Sequence, residues 1–173
     1  MIIRAMGNYD GFDWTLSTTI FNVDFKASGV ADLVAQTTGM CPNSDLQELV
    51  LICHGVGGVI NFGSDTIGGI SQPGQDPLYG LAPLSSVFVS SATNLPRLIL
   101  EVCEAGKNPN ALLAIANTIL HPVYACTGDV HPNLGLTDYG TWDGDTVVAY
   151  PGAQSLTNLG QGQQVPPTPT ILN

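Results

Sequence analysis

Positive charge is nearly absent from this chain. Arg4, Lys26, Arg97 and Lys107 are its lysines and arginines, scattered among 14 acidic residues in a length of 173, for a formal net charge of −10. Nucleic acids and anionic membranes are bound through clustered cations that neutralise phosphates, so neither is an expected partner; a basic peptide or protein is. Long apolar runs are missing too. The longest, such as residues 49–53, span a handful of positions, against the roughly 20 that a membrane-crossing helix needs. No charged segment leading into a long apolar stretch opens the sequence, which reads as a soluble protein, cytoplasmic or secreted without a visible signal peptide. The four cysteines, Cys41, Cys53, Cys103 and Cys126, lack CxxC spacing and are too few for a disulfide framework. They are expected to be reduced thiols, three of them in or beside apolar strand-like runs. Zinc at Cys126 and His131 lacks a paired ligand pattern, and no cofactor or metal is expected.

What the chain does have is apolar content for one core. Hydrophobic residues make up 44% and the mean hydropathy is +0.22, enough to order a single domain of this length. Residues 2–6 read as a first strand, and residues 18–25 as a weaker extended segment. Ser28 is placed to cap a helix running to about Thr38, with Val30, Leu33 and Val34 on one face and Gly39 ending it. The nearly continuous apolar run 46–53 predicts a strand covered on both faces. Residues 59–62 and 66–70, parted by Gly63-Ser64-Asp65, predict a hairpin, and residues 73–77 a loop. Residues 84–95 predict a helix with Leu84, Val87, Phe88 and Leu95 inward, although Val87, Phe88 and Val89 also suit a strand. A second buried strand is expected over 97–103, then a helix opened by Pro109 and reaching about Leu120, and a third central strand over 123–126. Residues 127–145 predict a polar loop containing Trp142, and residues 146–150 a last strand. From residue 152 onward Gly, Gln, Pro and Thr dominate, so residues 1–151 are expected to form the domain and 152–173 a tail or linker.

Strands alternating with helices predict an α/β fold, a three-layer α/β/α sandwich with a mainly parallel sheet. Ligands collect at the carboxyl ends of such strands. His54 and Cys103 each close one of the predicted buried strands. A thiolate attacks carbonyls well, and a neighbouring imidazole can take the thiol proton and return it to a leaving amine. Adjacent strands lie about 5 Å apart, so residues ending two neighbours can face each other across a catalytic gap. Gly55 lets the backbone approach a substrate, and its N–H and that of Cys103 are candidate oxyanion donors.

An apolar block ending in His54-Gly55, followed by Glu101-Val102-Cys103-Glu104-Ala105-Gly106 with Cys103 49 positions after His54, resembles the caspase-like cysteine peptidases, a group that includes caspases, metacaspases, legumains, gingipains, separases and the self-cleaving domains of bacterial toxins. The second block is similar to the legumain pattern Glu-x-Cys-Glu-Ser-Gly, with Ala105 in place of the serine. The resemblance implies His54 as general acid/base, Cys103 as nucleophile, Gly55 in the oxyanion hole and Glu101 in the pocket that receives the side chain before the cut. A carboxylate there implies cleavage after Arg or Lys, with Asn as runner-up. The segment 123–128 resembles toxin-associated members, which implies a bacterial effector or toxin fragment. Such domains often depend on inositol phosphate, and four cations argue against that here.

Simpler roles compete at each position. His54 can cap a strand end and Cys103 can be a packed thiol. Glu104 reads as a solvated turn residue and Asp129, Asp143 and Asp145 as turn residues, with pocket or Ca²⁺ contacts as the alternative for the aspartates. His121, before Pro122, is placed to meet helix carbonyl dipoles as an imidazolium, and His131 sits in a loop that can border the site. The sequence has no GxSxG elbow to match an esterase reading of His54-Gly55-Val56-Gly57-Gly58, and Ile60 stands where a dinucleotide fingerprint needs glycine. Two alternatives to a peptidase stand: an inactive caspase-like binding module, and a His-Cys hydrolase or transferase acting on a non-protein amide.

Overall fold

Seven strands run side by side through the protein, five of them parallel. The computed structural model describes residues 1–7, 23–69, 74–89, 95–131 and 140–161. In chain order the sheet strands are β1 (Ile2–Gly7), β2 (Phe25–Ala27), β3 (Glu48–Ile52), β7 (Arg97–Glu101), β8 (Val123–Cys126), β11 (Asp145–Ala149) and β12 (Thr157–Gln161). They are ordered β12-β11-β8-β7-β3-β1-β2. Strands β2, β1, β3, β7 and β8 are parallel, and β11 and β12 are added antiparallel. The helices are α1 (Val30–Met40) and α2 (Pro109–Ile119), with a 3-10 segment over Pro77–Ser86. The fold is α/β with a mainly parallel sheet.

Alternation sorts the strand residues onto two faces. Ile3, Ala5, Leu49, Leu51, Leu98, Leu100, Val123, Ala125, Val147 and Ala149 face a large core that both helices and the 3-10 segment cover. Val50, Ile99, Tyr124, Cys126 and Val148 face the other way and pack with Trp142. Strands β3 and β7 are apolar nearly throughout because both faces are enclosed. Among the described residues every helix lies on the first face. The second face is covered there by a short hairpin, β9 (Val130–His131) with β10 (Thr141–Trp142), rather than by a further helical layer.

Several expected boundaries move. Helix α1 runs through Gly39 to Met40. Its cap is supplied by another element: the Val30 N–H donates to Asp65 Oδ2 at 2.7 Å, while Asp32 Oδ2 accepts from the Ser28 N–H and hydroxyl. Acceptors at a helix N-terminus satisfy N–H groups the helix cannot. No α-helix forms over the described part of 84–95. The 3-10 segment begins earlier, at Pro77, because Asp76 caps Leu78 and Pro77 suits the first position. Pro83 removes a donor inside it. Chain segment 87–89 then turns extended, exchanging backbone hydrogen bonds with Leu46. Strand β11 is not the last: β12 pairs with it, so the sheet continues past residue 151 into the expected tail. His121 packs its ring on Phe88 with centroids 4.6 Å apart, and burial lowers its pKa, so the neutral ring is favoured there instead of an imidazolium. Residues 8–22, 70–73, 90–94, 132–139 and 162–173 lie outside the described residues, and with them most of the segment 18–25, part of the loop 73–77 and most of the terminal tail.

Candidate active site

Strands β3 and β7 bring the two candidate residues to one rim. They are adjacent and parallel, and Ile52 is in register with Glu101. His54 and Cys103 each lie two residues beyond that pair, at the carboxyl edge of the sheet. Past Ile52 the chain enters a three-stranded antiparallel meander, β4 (His54–Val56), β5 (Val59–Phe62) and β6 (Asp65–Ile67). The expected hairpin is therefore its second half, and His54 opens its first strand.

The meander is seated by its apolar side and both its turns. Ile60, Phe62 and Ile67 are buried in the main core. The Ser64 N–H donates to the Ser28 carbonyl at 2.7 Å, and Asp65 caps α1. Gly57 and Gly58 form a two-residue turn between paired Val56 and Val59, with φ of 59° and 83°, the left-handed pairing that closes tight hairpins. In such a hairpin the flanking pair is hydrogen-bonded and pairs alternate along the ladder. His54 is thus bonded to Asn61 across the ladder, whereas the N–H and C=O of Gly55 point away from β5.

Gly55 is also where the meander meets the Cys103 turn. A methyl group on its α-carbon would lie 2.5 Å from Val102 Cγ1 and closer still to the Cys103 carbonyl oxygen. Only glycine allows this approach. Gly55→Ala is expected to lift β4 off the Cys103 turn by about 1 Å, lowering any reaction that uses both residues about 100-fold and costing about 1–3 kcal/mol of stability. Thermal unfolding together with the rate of Cys103 alkylation checks both halves; an unaltered alkylation rate in a folded variant would contradict it. At Gly57, by contrast, nothing lies within 4 Å of the methyl position, and only its positive φ opposes a side chain.

Cys103 is half-buried and its sulfur sits on β9. The Val130 N–H donates to Sγ at 3.3 Å, and Sγ lies 3.7 Å from the Val130 carbonyl oxygen. Among the described residues nothing accepts from the Cys103 N–H. Burial acts against the thiolate form at the other three cysteines. Cys41 and Cys126 are buried, and desolvation raises the pKa of both. Cys53 packs against the main core, where desolvation, with a smaller contribution from Cys103, pushes its thiol far above the ordinary range. All four are free. Cys126 Sγ contacts the Asp129 carbonyl at 3.8 Å while Cys103 Sγ contacts the N–H of the next residue. A trans peptide points these groups in opposite directions, so the two sulfurs flank one peptide unit instead of meeting. No cluster of three metal-ligating side chains occurs among the described residues.

Glu101, two residues before Cys103, is buried beside β10. It is 7% exposed, and its Oε1 accepts from the Gly140 N–H at 2.8 Å. Desolvation raises its pKa, opposed by that hydrogen bond and by Arg4. The carboxylate expected to line a substrate pocket is therefore held by a backbone donor beside β10. His131 is exposed and pairs with Asp143 at 2.7 Å across the β9–β10 hairpin.

Glu104, expected to be a solvated turn residue, instead bonds two elements. It adopts the left-handed conformation at φ 58° and ψ 8°. Its Oε2 accepts from the Gly57 N–H at 2.6 Å, and its Oε1 from Lys107. Its own N–H donates to the Gly128 carbonyl at 2.7 Å. The Gly57-Gly58 pair between two valines signals a tight turn in the sequence, but nothing there signals that Glu104 reaches it. Comparison with known protein families, curated proteins and solved structures finds no match.

Proposed function

We propose that the chain is a cysteine endopeptidase with a His54–Cys103 dyad, of the caspase-like type its motifs resemble, acting on basic peptide or protein substrates. The observation that carries this reading is the packing of Gly55, directly after His54, against the Cys103 turn at the carboxyl rim of β3 and β7. A rim of this kind is where α/β sheets bind ligands.

In the proposed reaction Cys103 Sγ forms a bond to the scissile carbonyl carbon while the carbonyl π electrons move onto oxygen. His54 takes the thiol proton. The Gly55 N–H, turned away from β5, and the Cys103 N–H donate to the oxyanion. As the oxyanion collapses, the C–N bond breaks and His54 delivers the proton to the amine. Water then attacks the thioester with His54 as base, releasing the carboxylate and restoring the thiol. The preference for Arg or Lys directly before the cut rests on the resemblance at Glu101, although that carboxylate is buried; the net charge of −10 adds a general attraction for cationic peptides. The placement of the pair on a bacterial effector or toxin fragment belongs to the same reading.

Fluorogenic peptides carrying Arg, Lys, Asn or Asp before the cut, with an acyloxymethyl ketone probe on the same panel, test it. The Arg and Lys compounds are expected to be cleaved and to label Cys103 alone. Equal, sluggish labelling of all four thiols with no cleavage would overturn the reading in favour of a binding module. Turnover of small-molecule amides alone would point to a non-peptide hydrolase, and a clear Asp preference would overturn the basic specificity.

A further inference from the structure

We propose that Glu104 is a positioning residue whose carboxylate staples the His54-bearing hairpin to the Cys103 turn and so sets the register between imidazole and thiol. This rests on the reading of the two as a reacting pair. Glu104 directly follows Cys103, and its left-handed backbone turns the side chain back toward the β4–β5 turn. The bond from the Gly57 N–H to Oε2, at 2.6 Å, is charge-assisted and therefore among the stronger kinds. It is a side-chain hydrogen bond that joins the β4–β5 hairpin directly to this turn.

The staple is fixed at its other end as well. Lys107 occupies the second carboxylate oxygen, which leaves Oε2 aimed at Gly57. The Glu104 N–H holds the turn to Gly128 at the exit of β8. The Lys107 ammonium and, after it, the Gly57 N–H lower the Glu104 pKa, so the carboxylate is ionised and the staple closed at neutral pH. Beside it Gly58 packs on Asn108, the residue that caps α2, so closely that a methyl group at Gly58 would lie 2.6 Å from Asn108 Cβ. Gly55 and Gly58 fix how near the hairpin comes; the Glu104 bond fixes its position along the rim. His54 is three residues from Gly57 on a strand that Asn61 holds from the other side, so a shift of the turn carries the imidazole with it.

The test compares the full chain with Glu104→Ala and Glu104→Gln. Three readouts are taken: hydrogen exchange at the Gly57 amide, the rate of Cys103 alkylation, and kcat and KM on the best peptide of the panel. Glu104→Ala is expected to speed Gly57 exchange and to lower kcat and the alkylation rate each about 10-fold, with KM within about 2-fold, as for a small misalignment of reacting groups. Glu104→Gln keeps an acceptor oxygen and is expected to recover most of both. Unchanged Gly57 exchange in the alanine variant would overturn the staple. Faster exchange with undiminished kcat and alkylation would overturn the positioning role, as would a loss seen in KM alone. If the parent chain cleaves no peptide, the peptidase reading fails by itself, and exchange and alkylation still decide for or against Glu104. A variant that unfolds is recognised by exchange in β3 and β7, and Glu104→Gln then carries the comparison.

Discussion

Replacing His54 with alanine is expected to lower peptide turnover about 1,000-fold, within the range for loss of a positioned general acid/base, and to abolish selective labelling of Cys103. Cys103→Ala is expected to lose at least as much. The His54→Ala/Cys103→Ala double variant is expected to be no worse than Cys103→Ala, because residues that act as one unit are strongly non-additive. Additive losses would mean that the two act independently and would remove the dyad. The fold is expected to survive both substitutions. His54 is exposed and Cys103 half-buried, and neither belongs to the buried core. A residual rate in Cys103→Ala above uncatalysed hydrolysis would measure what the Gly55 and Cys103 N–H groups contribute alone. These backbone donors persist in the alanine variant, so the oxyanion site is tested apart from the nucleophile.

How much of this was legible in the sequence differs from element to element for physical reasons. Strands β3 and β7 announce themselves because a strand enclosed on both faces reads as a nearly continuous apolar run, and residues 49–52 and 98–100 form such runs. Helix α2 carries Pro109 at its first position and the Asn108 cap bonded to Ala111, a start signal in its own right. The rim position of His54 and Cys103 follows from those strands. Strand β4 was harder, since three residues give no periodicity and one of them is glycine. Strand β12, Thr-Asn-Leu-Gly-Gln, lies at the sheet edge, hydrogen-bonded to β11 alone, and packs only Leu159 on the core, so its composition reads as linker. The cap of α1 is invisible locally because its acceptor comes from Asp65, 35 positions away from Val30, rather than from the expected Ser28. Glu104 could not be recognised locally at all: a glutamate in a glycine-containing turn is ordinary, and its partner arrives from a hairpin 47 positions earlier. Glu101 shows the converse. Its type suggested a receptor for a cation, but alternation in β7 turns it to the sheet face that holds Glu48 and Arg97, where burial and the Gly140 N–H already engage it.

That same face carries the largest stability effect. Arg97→Met is expected to cost about 3–5 kcal/mol, the usual loss on removing one member of a buried ion pair. Arg97 and Glu48 open β7 and β3 directly opposite one another. The Arg97 Nε donates to Glu48 Oε2 at 2.7 Å, with both side chains 5% exposed, and the guanidinium lies 5.5 Å from the centre of the Tyr124 ring. Water that would shield the Glu48 carboxylate after loss of the guanidinium has little access to it. The double variant Glu48→Met/Arg97→Met removes both charges and is expected to regain most of the loss, since matched apolar replacements of buried pairs are often neutral or better. Denaturant unfolding of the parent, both singles and the double measures the coupling. A single variant costing under about 1 kcal/mol, the value for exposed pairs, would show that the face is wetter than its burial indicates. The pair sits at the amino ends of the two strands whose carboxyl ends carry His54 and Cys103. A stable double variant should therefore keep its rate of Cys103 alkylation, and a loss of that rate without a loss of stability would mean that the relative slide of β3 and β7, and with it the spacing at the rim, is set by this pair.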